Sequence, residues 1–166
     1  MENLELLCFR RSVRLFQDRV ILKADLEKIV DCARFSPTAR NVQPWEFAVV
    51  TSKPKLAELS SLADNGRFLA QASACIAVFC VDTKYYLEDG CAATCNILLA
   101  ATALGIGSCW VAGDKKSYCQ QVSVLLGAPS GMKLVSLIAL GYPQEKDVFK
   151  IMPKKGLKEI LHWEKF

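Results

Sequence analysis

"SPTARNVQPWEF", residues 36–47, decides how this chain is cut into elements. Before it, Leu26, Ile29, Val30 and Ala33 recur at helical spacing, and Asp25 and Glu27 sit near the helix start, where the dipole favours acids. Pro37 disfavours helical geometry at Ser36, so that helix stops there. After it, "WEFAVV" (45–50) reads as a strand. The stretch is therefore a helix-to-strand connection, yet it gathers Ser36, Thr38, Arg40, Asn41 and Gln43 in one corner. Two readings stay open from these residues alone. Either the corner is a stiff turn in which Thr38 and Asn41 bond their own backbone, or something flat and polar sits against it.

Working outward, residues 5–9 read as a short helix. Thr51, Ser52 and Pro54 open another, with Leu56, Leu59 and Ala63 on one face. "ACIAVFCV" (74–81) is apolar on both faces and belongs in mid-sheet. The longest helix is expected over about 88–104, rich in alanine, with Gly105 placed to end it. "SCWVA" (108–112) is a short strand. Asp114 is placed to cap a helix running through Tyr118, Val122, Leu125 and Leu126 to Gly127. "MKLVSLIAL" (132–140) is a further core strand, stopped by Gly141-Tyr142-Pro143. With no repeat, no low-complexity tract and no membrane-spanning length, residues 1–166 read as one layered domain of alternating helices and strands.

A chain of 166 residues, 52% hydrophobic, is long and apolar enough for a real core, which excludes a disordered tail. The net charge of +4 is not concentrated in any Lys/Arg run. That argues against a nucleic-acid partner and suits a small anion. No charged n-region followed by an apolar h-region opens the chain, so a cytoplasmic location is expected. The eight cysteines form no CxxC pair, and the single His162 is remote from them. Buried thiols are expected, not disulfides, and no metal site, since Cys91 and Cys95 lack further ligands.

Three stretches bear on chemistry. In "RRSVR" (10–14), an extended backbone puts Arg10, Ser12 and Arg14 on one side, a fork for phosphate. A solvated basic segment is the competing reading. Lys154-Lys155 is a second, weaker basic pair. The crowded corner is the second stretch. "GIGSCWVAGD" (105–114) is the third: its glycines let a ligand approach the backbone closely. It is not a dinucleotide fingerprint, because a strand and not a helix follows Gly107. No GxSxG occurs and no nucleophile, base and acid can be assembled. Binding groups without reactive ones suggest that a cofactor brings the chemistry.

Taken in order, Arg10-Arg11-Ser12-x-Arg14, Ser36-Pro37-Thr38-x-x-Asn41-x-Gln43-Pro44-Trp45-x-Phe47, Gly105-x-Gly107-x-Cys109-Trp110 and Gly141-Tyr142-Pro143 followed by basic residues resemble the nitroreductase family of FMN-dependent oxidoreductases. The resemblance runs from Arg10 to Trp163. It implies an α+β fold, a three-layer α/β/α sandwich with a central mixed, largely antiparallel sheet. It also implies an intertwined homodimer with two FMN sites at the subunit interface. On this resemblance Arg10, Arg11, Ser12 and Arg14 hold FMN from one subunit, while Pro37, Thr38, Ala39 and Asn41 reach it from the other. Arg10, Ser12, Lys154 and Lys155 would take the phosphate, and Arg14 the N1–O2 edge of the ring. Val111, Ala112 and Gly113 would pass N5 with a backbone N–H, and Asn65 and Arg67 would meet the ring's polar edge.

The implied function is an FMN-dependent enzyme that takes a hydride from NADH or NADPH and reduces nitroaromatic, quinone or related acceptors. A ping-pong mechanism without a catalytic side chain is implied, since flavin N5 carries the chemistry. Partners are a second copy and small molecules, with neither nucleic acid nor membrane. Two departures stand out: Gly156 follows Lys155 where many members have Arg, and only "DTKYYLE" (82–88) joins the central strand to the long helix. Two alternatives remain, a module that stores or senses FMN without turnover and a specialised flavin enzyme such as a reductive dehalogenase.

Overall fold

The computed structural model describes residues 3–144 and 153–166. In chain order they form α1 (Asn3–Phe9), α2 (Lys23–Ala33), β1 (Trp45–Val50), α3 (Lys53–Leu62), β2 (Ala74–Val81), α4 (Tyr86–Ala103), β3 (Gly107–Ala112), α5 (Cys119–Leu126), β4 (Met132–Gly141) and α6 (Leu157–Ile160). Short 3₁₀ turns lie at Ala39–Asn41 and Arg67–Gln71.

The strands form one sheet in the order β1-β2-β4-β3, antiparallel at every pairing. The parallel component expected of the sheet is, among the described residues, a single bridge between Ser12 and Ser108. β2 is central, and its residues Ala74–Cys80 are all buried, as an unbroken apolar run requires. Alternate side chains divide the core into two layers. Cys75, Ala77, Leu137 and Ala139 face α3 and α5 through Leu56, Leu59 and Val122, with Val13 and Phe16 at the same layer. Ile76, Val78, Ile138 and Leu140 face α2 and α4 through Leu26, Ile29, Ala93, Ile97 and Ala101. Each Val, Leu, Ile or Phe side chain among them contributes about 1.5–3 kcal/mol when fully buried.

α4 ends as the sequence suggests. Gly105 is left-handed at φ 70, Ile106 N–H reaches back to Ala101 O at 2.8 Å, and Gly105 N–H to Thr102 O at 3.0 Å. These paired bonds satisfy carbonyls that a helix end otherwise leaves open. Its start differs: α4 begins at Tyr86, so only residues 82–85 separate it from β2. Asp114 does not cap α5. The residue before that helix is Tyr118, with no side-chain cap, and Asp114 instead accepts a hydrogen bond from Tyr86 at 2.6 Å. The thiols also divide more evenly than expected. Cys75, Cys80 and Cys109 are buried, Cys91 and Cys119 partly so, and Cys8, Cys32 and Cys95 are exposed. Burial pushes the Cys75 and Cys80 thiols up to about 12, so both are inert fillers of the core.

Candidate functional site

The basic segment runs along the outer edge of β3. Arg10 still belongs to the last turn of α1, its N–H bonded to Leu6 O at 3.3 Å. The Arg11 guanidinium folds back on that helix end, donating to the carbonyls of Cys8 and Arg10. From Ser12 onward the chain is extended: Ser12 and Arg14 are exposed and Val13 between them is buried. Val13 N–H donates to Ser108 O at 2.9 Å. This close approach needs Gly107, since a Cβ there would lie 2.9 Å from the Val13 side chain. Gly113 is likewise filled in, by Leu134 and the Val135 backbone. Gly107 and Gly113 therefore allow close packing against this chain's own atoms, and Gly105 allows the turn after α4.

Arg14 lies over the Phe68 ring, 5.8 Å from its centroid. The first stretch thus meets the turn carrying Asn65 and Arg67, both exposed. Ser60 Oγ holds that turn by donating to Arg67 O at 2.8 Å.

At the far end of β3, ladder phase decides which backbone group faces outward. Gly113 N–H donates to Val135 O at 3.0 Å, whereas Ser108 O accepts from Val13 on the opposite edge. Antiparallel pairing alternates, so residues in step with Ser108 turn their N–H groups away from β4. Ala112 is one of them. Val111, itself buried, and Gly113 turn theirs inward. The Ala112–Gly113 carbonyls are held from behind: Tyr118 Oη donates to Ala112 O, and Lys116 N–H to Gly113 O at 3.1 Å.

The crowded corner is more than a local turn. Thr38 Oγ1 donates to Asp89 Oδ2 at 2.8 Å and accepts from Gln43 N–H at 3.1 Å. Ala39 N–H donates to Asp89 Oδ1 at 3.2 Å, and Gln43 Nε2 to Asn41 Oδ1 at 3.0 Å. Arg40, Asn41 and Gln43 all adopt left-handed backbone, with φ of 56, 57 and 50. Pro37 is exposed beside them. Asp89, 5% exposed in the first turn of α4, escaped the reading of the sequence. One turn earlier on the same helix, Tyr86 binds Asp114, so α4 ties the corner to the end of β3. The Tyr86 hydroxyl is pushed up to about 12, first by its bond to Asp114 and then by burial. It stays a donor at neutral pH.

Lys154 and Lys155 lie in an exposed extended stretch ahead of α6. Every residue from 153 to 166 is exposed, including Leu157 at 68% and Trp163 at 78%. A groove of about 690 Å³ between α2 and the β1 edge is lined by Val20, Ile21, Leu26, Val30, Val49 and Thr51 among others. None of the residues predicted to bind a cofactor lines it.

A layered antiparallel sheet with helices on both faces and a basic segment along one edge defines an α+β protein. Comparison with known proteins places it further. The model described as "Nitroreductase family" matches residues 7–78, and one described as "Putative TM nitroreductase" matches residues 55–165. A protein of Archaeoglobus fulgidus named "Putative NADH dehydrogenase/NAD(P)H nitroreductase" is 37% identical, covering 99% of each chain. An FMN-dependent nitroreductase structure from Clostridium difficile R20291 superposes with a TM-score of 0.88 at 28% identity, over 98% of this chain and 99% of that one. A structure from Desulfovibrio desulfuricans described as a "putative nitroreductase in complex with FMN" has a TM-score of 0.82 at 26% identity, over 100% and 99%. The chain belongs to the nitroreductase family.

Proposed function

We propose that this chain is an FMN-dependent oxidoreductase that draws on NADH or NADPH and reduces nitroaromatic, quinone or related acceptors. The observation that carries the reading is the edge of β3, with basic groups at one end and the outward Ala112 N–H at the other. Ser108 and Ala112 lie four positions apart, about 13 Å of strand. That leaves room for a phosphate at the first end and a planar ring at the second. Bound there, FMN supplies hydride chemistry. The residues do the rest. Arg10 and Ser12 offer charge-assisted donors to the phosphate. Arg14 and the Asn65–Arg67 turn would take the ring's polar edge, and Ala112 N–H would offer it a fixed dipole. Asp114, the carboxylate nearest to Ala112 in sequence, is engaged by Tyr86 and by Lys115 at 3.8 Å. With Asp114 so engaged, it does not stand as a free acid or base beside Ala112, which supports one face serving donor and acceptor in turn.

A homodimer completes the site in this reading. The exposed apolar tail needs a surface, and the groove beside β1 offers one on a second copy. β1 is an edge strand, and Val81 N–H bonding to Pro44 O sets its phase. The backbone groups of Trp45, Phe47 and Val49 therefore face outward and can pair. The Pro37–Asn41 corner would then reach the partner's cofactor. Anaerobic mixing of the yellow holoprotein with NADH and, separately, NADPH tests the enzyme reading. Bleaching by either supports it, and a flavin that stays oxidised with both identifies a storage module instead.

A further inference from the structure

We infer that Asp89 is the positioning residue of the Thr38–Asn41 corner, holding it in the one backbone shape that can meet the cofactor. This rests on the FMN reading above. Asp89 touches no proposed ligand. Both of its carboxylate oxygens are occupied by the corner, one by the Thr38 hydroxyl at 2.8 Å and the other by Ala39 N–H at 3.2 Å. It is nearly fully buried, and a buried carboxylate persists only when its acceptors are filled. Its place in the first turn of α4 adds the favourable end of the helix dipole.

The corner needs such an anchor. Three residues other than glycine are left-handed within four positions, a backbone that L side chains disfavour. Strained segments of this kind persist only where their surroundings over-determine them. Inside the corner, the bonds from Gln43 to Thr38 and Asn41 are local and exposed. The pair of bonds to Asp89 is the link that ties it to the core 50 residues away. Without it the binding-competent shape becomes a minor state, and apparent affinity falls with that fraction.

The test compares Asp89→Asn, which keeps shape but sets an amide against one of two donors, with Thr38→Val, Thr38→Ser and the Asp89→Asn/Thr38→Val double variant. Three quantities are read: FMN affinity by fluorescence titration of the apoprotein, amide exchange over residues 38–43, and apoprotein Tm. Asp89→Asn should raise the FMN Kd about tenfold to a hundredfold and speed exchange in the corner, while Tm moves little. Thr38→Ser, which keeps the hydroxyl, should restore most of what Thr38→Val loses. The double variant should cost little more than Asp89→Asn alone. Wild-type affinity and exchange in Asp89→Asn, or costs that simply add in the double variant, overturn the inference. A Tm loss that tracks the affinity loss does so too, because the role would then be structural. If Asp89→Asn does not fold, unchanged FMN affinity in Thr38→Val is decisive against it. A wild-type apoprotein that takes up no FMN refutes the function itself, and the exchange measurement then still decides whether Asp89 holds the corner.

Discussion

The Ser36–Gln43 corner and the 153–166 tail each carry residues that the family resemblance assigns to the cofactor, Pro37, Thr38, Ala39 and Asn41 in one and Lys154 and Lys155 in the other, and their physical states in one chain are opposite. The corner carries three left-handed residues, yet Asp89 holds it from inside the same chain. The tail has no backbone strain to speak of outside Glu164, and it carries Leu157, Ile160, Leu161, Trp163 and Phe166 exposed. Among the described residues its hydrogen bonds stay within itself, as in Gly156 N–H to Glu159 and Leu161 N–H to Leu157 O at 2.9 Å. The corner is complete as one chain folds, whereas the tail would find its partners on a second chain only in the homodimer proposed above. Shape and strain do not tell which parts of a site are self-sufficient. The location of the hydrogen-bond and apolar partners does.

Deleting residues 157–166 should break the tail side of this contrast and produce the largest effect. Five apolar side chains, each contributing about 1.5–3 kcal/mol when buried, would leave the proposed interface at once. The expected outcome is a flavin-depleted monomer in sedimentation velocity at micromolar concentration. A flavin-replete dimer of the truncated chain would mean that the tail docks nowhere.

Next in size is Arg10→Ala. Truncating one partner of a desolvated charge pair costs roughly 2–5 kcal/mol. FMN affinity should fall accordingly, with the dimer intact in the same sedimentation assay. Unchanged affinity would move the phosphate away from the β3 edge.

Ala112 sharpens the comparison from the self-sufficient side, since its donor is main chain. Ala112→Ser keeps the N–H and should leave NADH oxidation near the wild-type rate. Ala112→Pro removes it, and losing one preorganised donor costs ~10²-fold in rate. Flavin content, checked first, separates that loss from a distorted strand. If Ala112→Ser proves as damaging as Ala112→Pro, the side chain and not the backbone matters there.

Tyr86→Phe should do least. It removes the bond to Asp114 but leaves Asp89 and the corner in place. A half-exposed hydrogen bond of this kind contributes no more than about 1 kcal/mol. The folded-state value for Tyr86, about 12, lies above its ordinary 10.0. Its contribution is therefore complete below pH 10 and fades as pH rises towards 12. Thermal melts of the wild type and Tyr86→Phe should differ at pH 8 and converge near pH 12. A constant gap across that range would show that the hydroxyl is not what stabilises.

By itself the sequence determined most element boundaries, the starts of α4 and α5 excepted, and most of the core. Pro37, Pro54, Gly105 and the apolar runs at 45–50 and 74–81 mark them through steric limits and side-chain periods that act over a few residues. The motifs at Arg10–Arg14, Thr38–Asn41 and Gly105–Trp110 were legible for the same reason and sufficed for the family. Only the tertiary structure decided how those motifs are used. Asp89 looks like one more acid at a helix start and Asp114 like a cap, and nothing beside Gly107 and Gly113 in the chain says what packs on them. Their real partners, Thr38, Tyr86, Val13 and Leu134, come from distant parts of the chain. The direction of the Ala112 N–H depends on ladder phase, which is set by pairing with β4 and with Val13. Local rules carry no information about such partners, because hydrogen-bond phase and burial are properties of surfaces brought together by folding, not of neighbours along the chain.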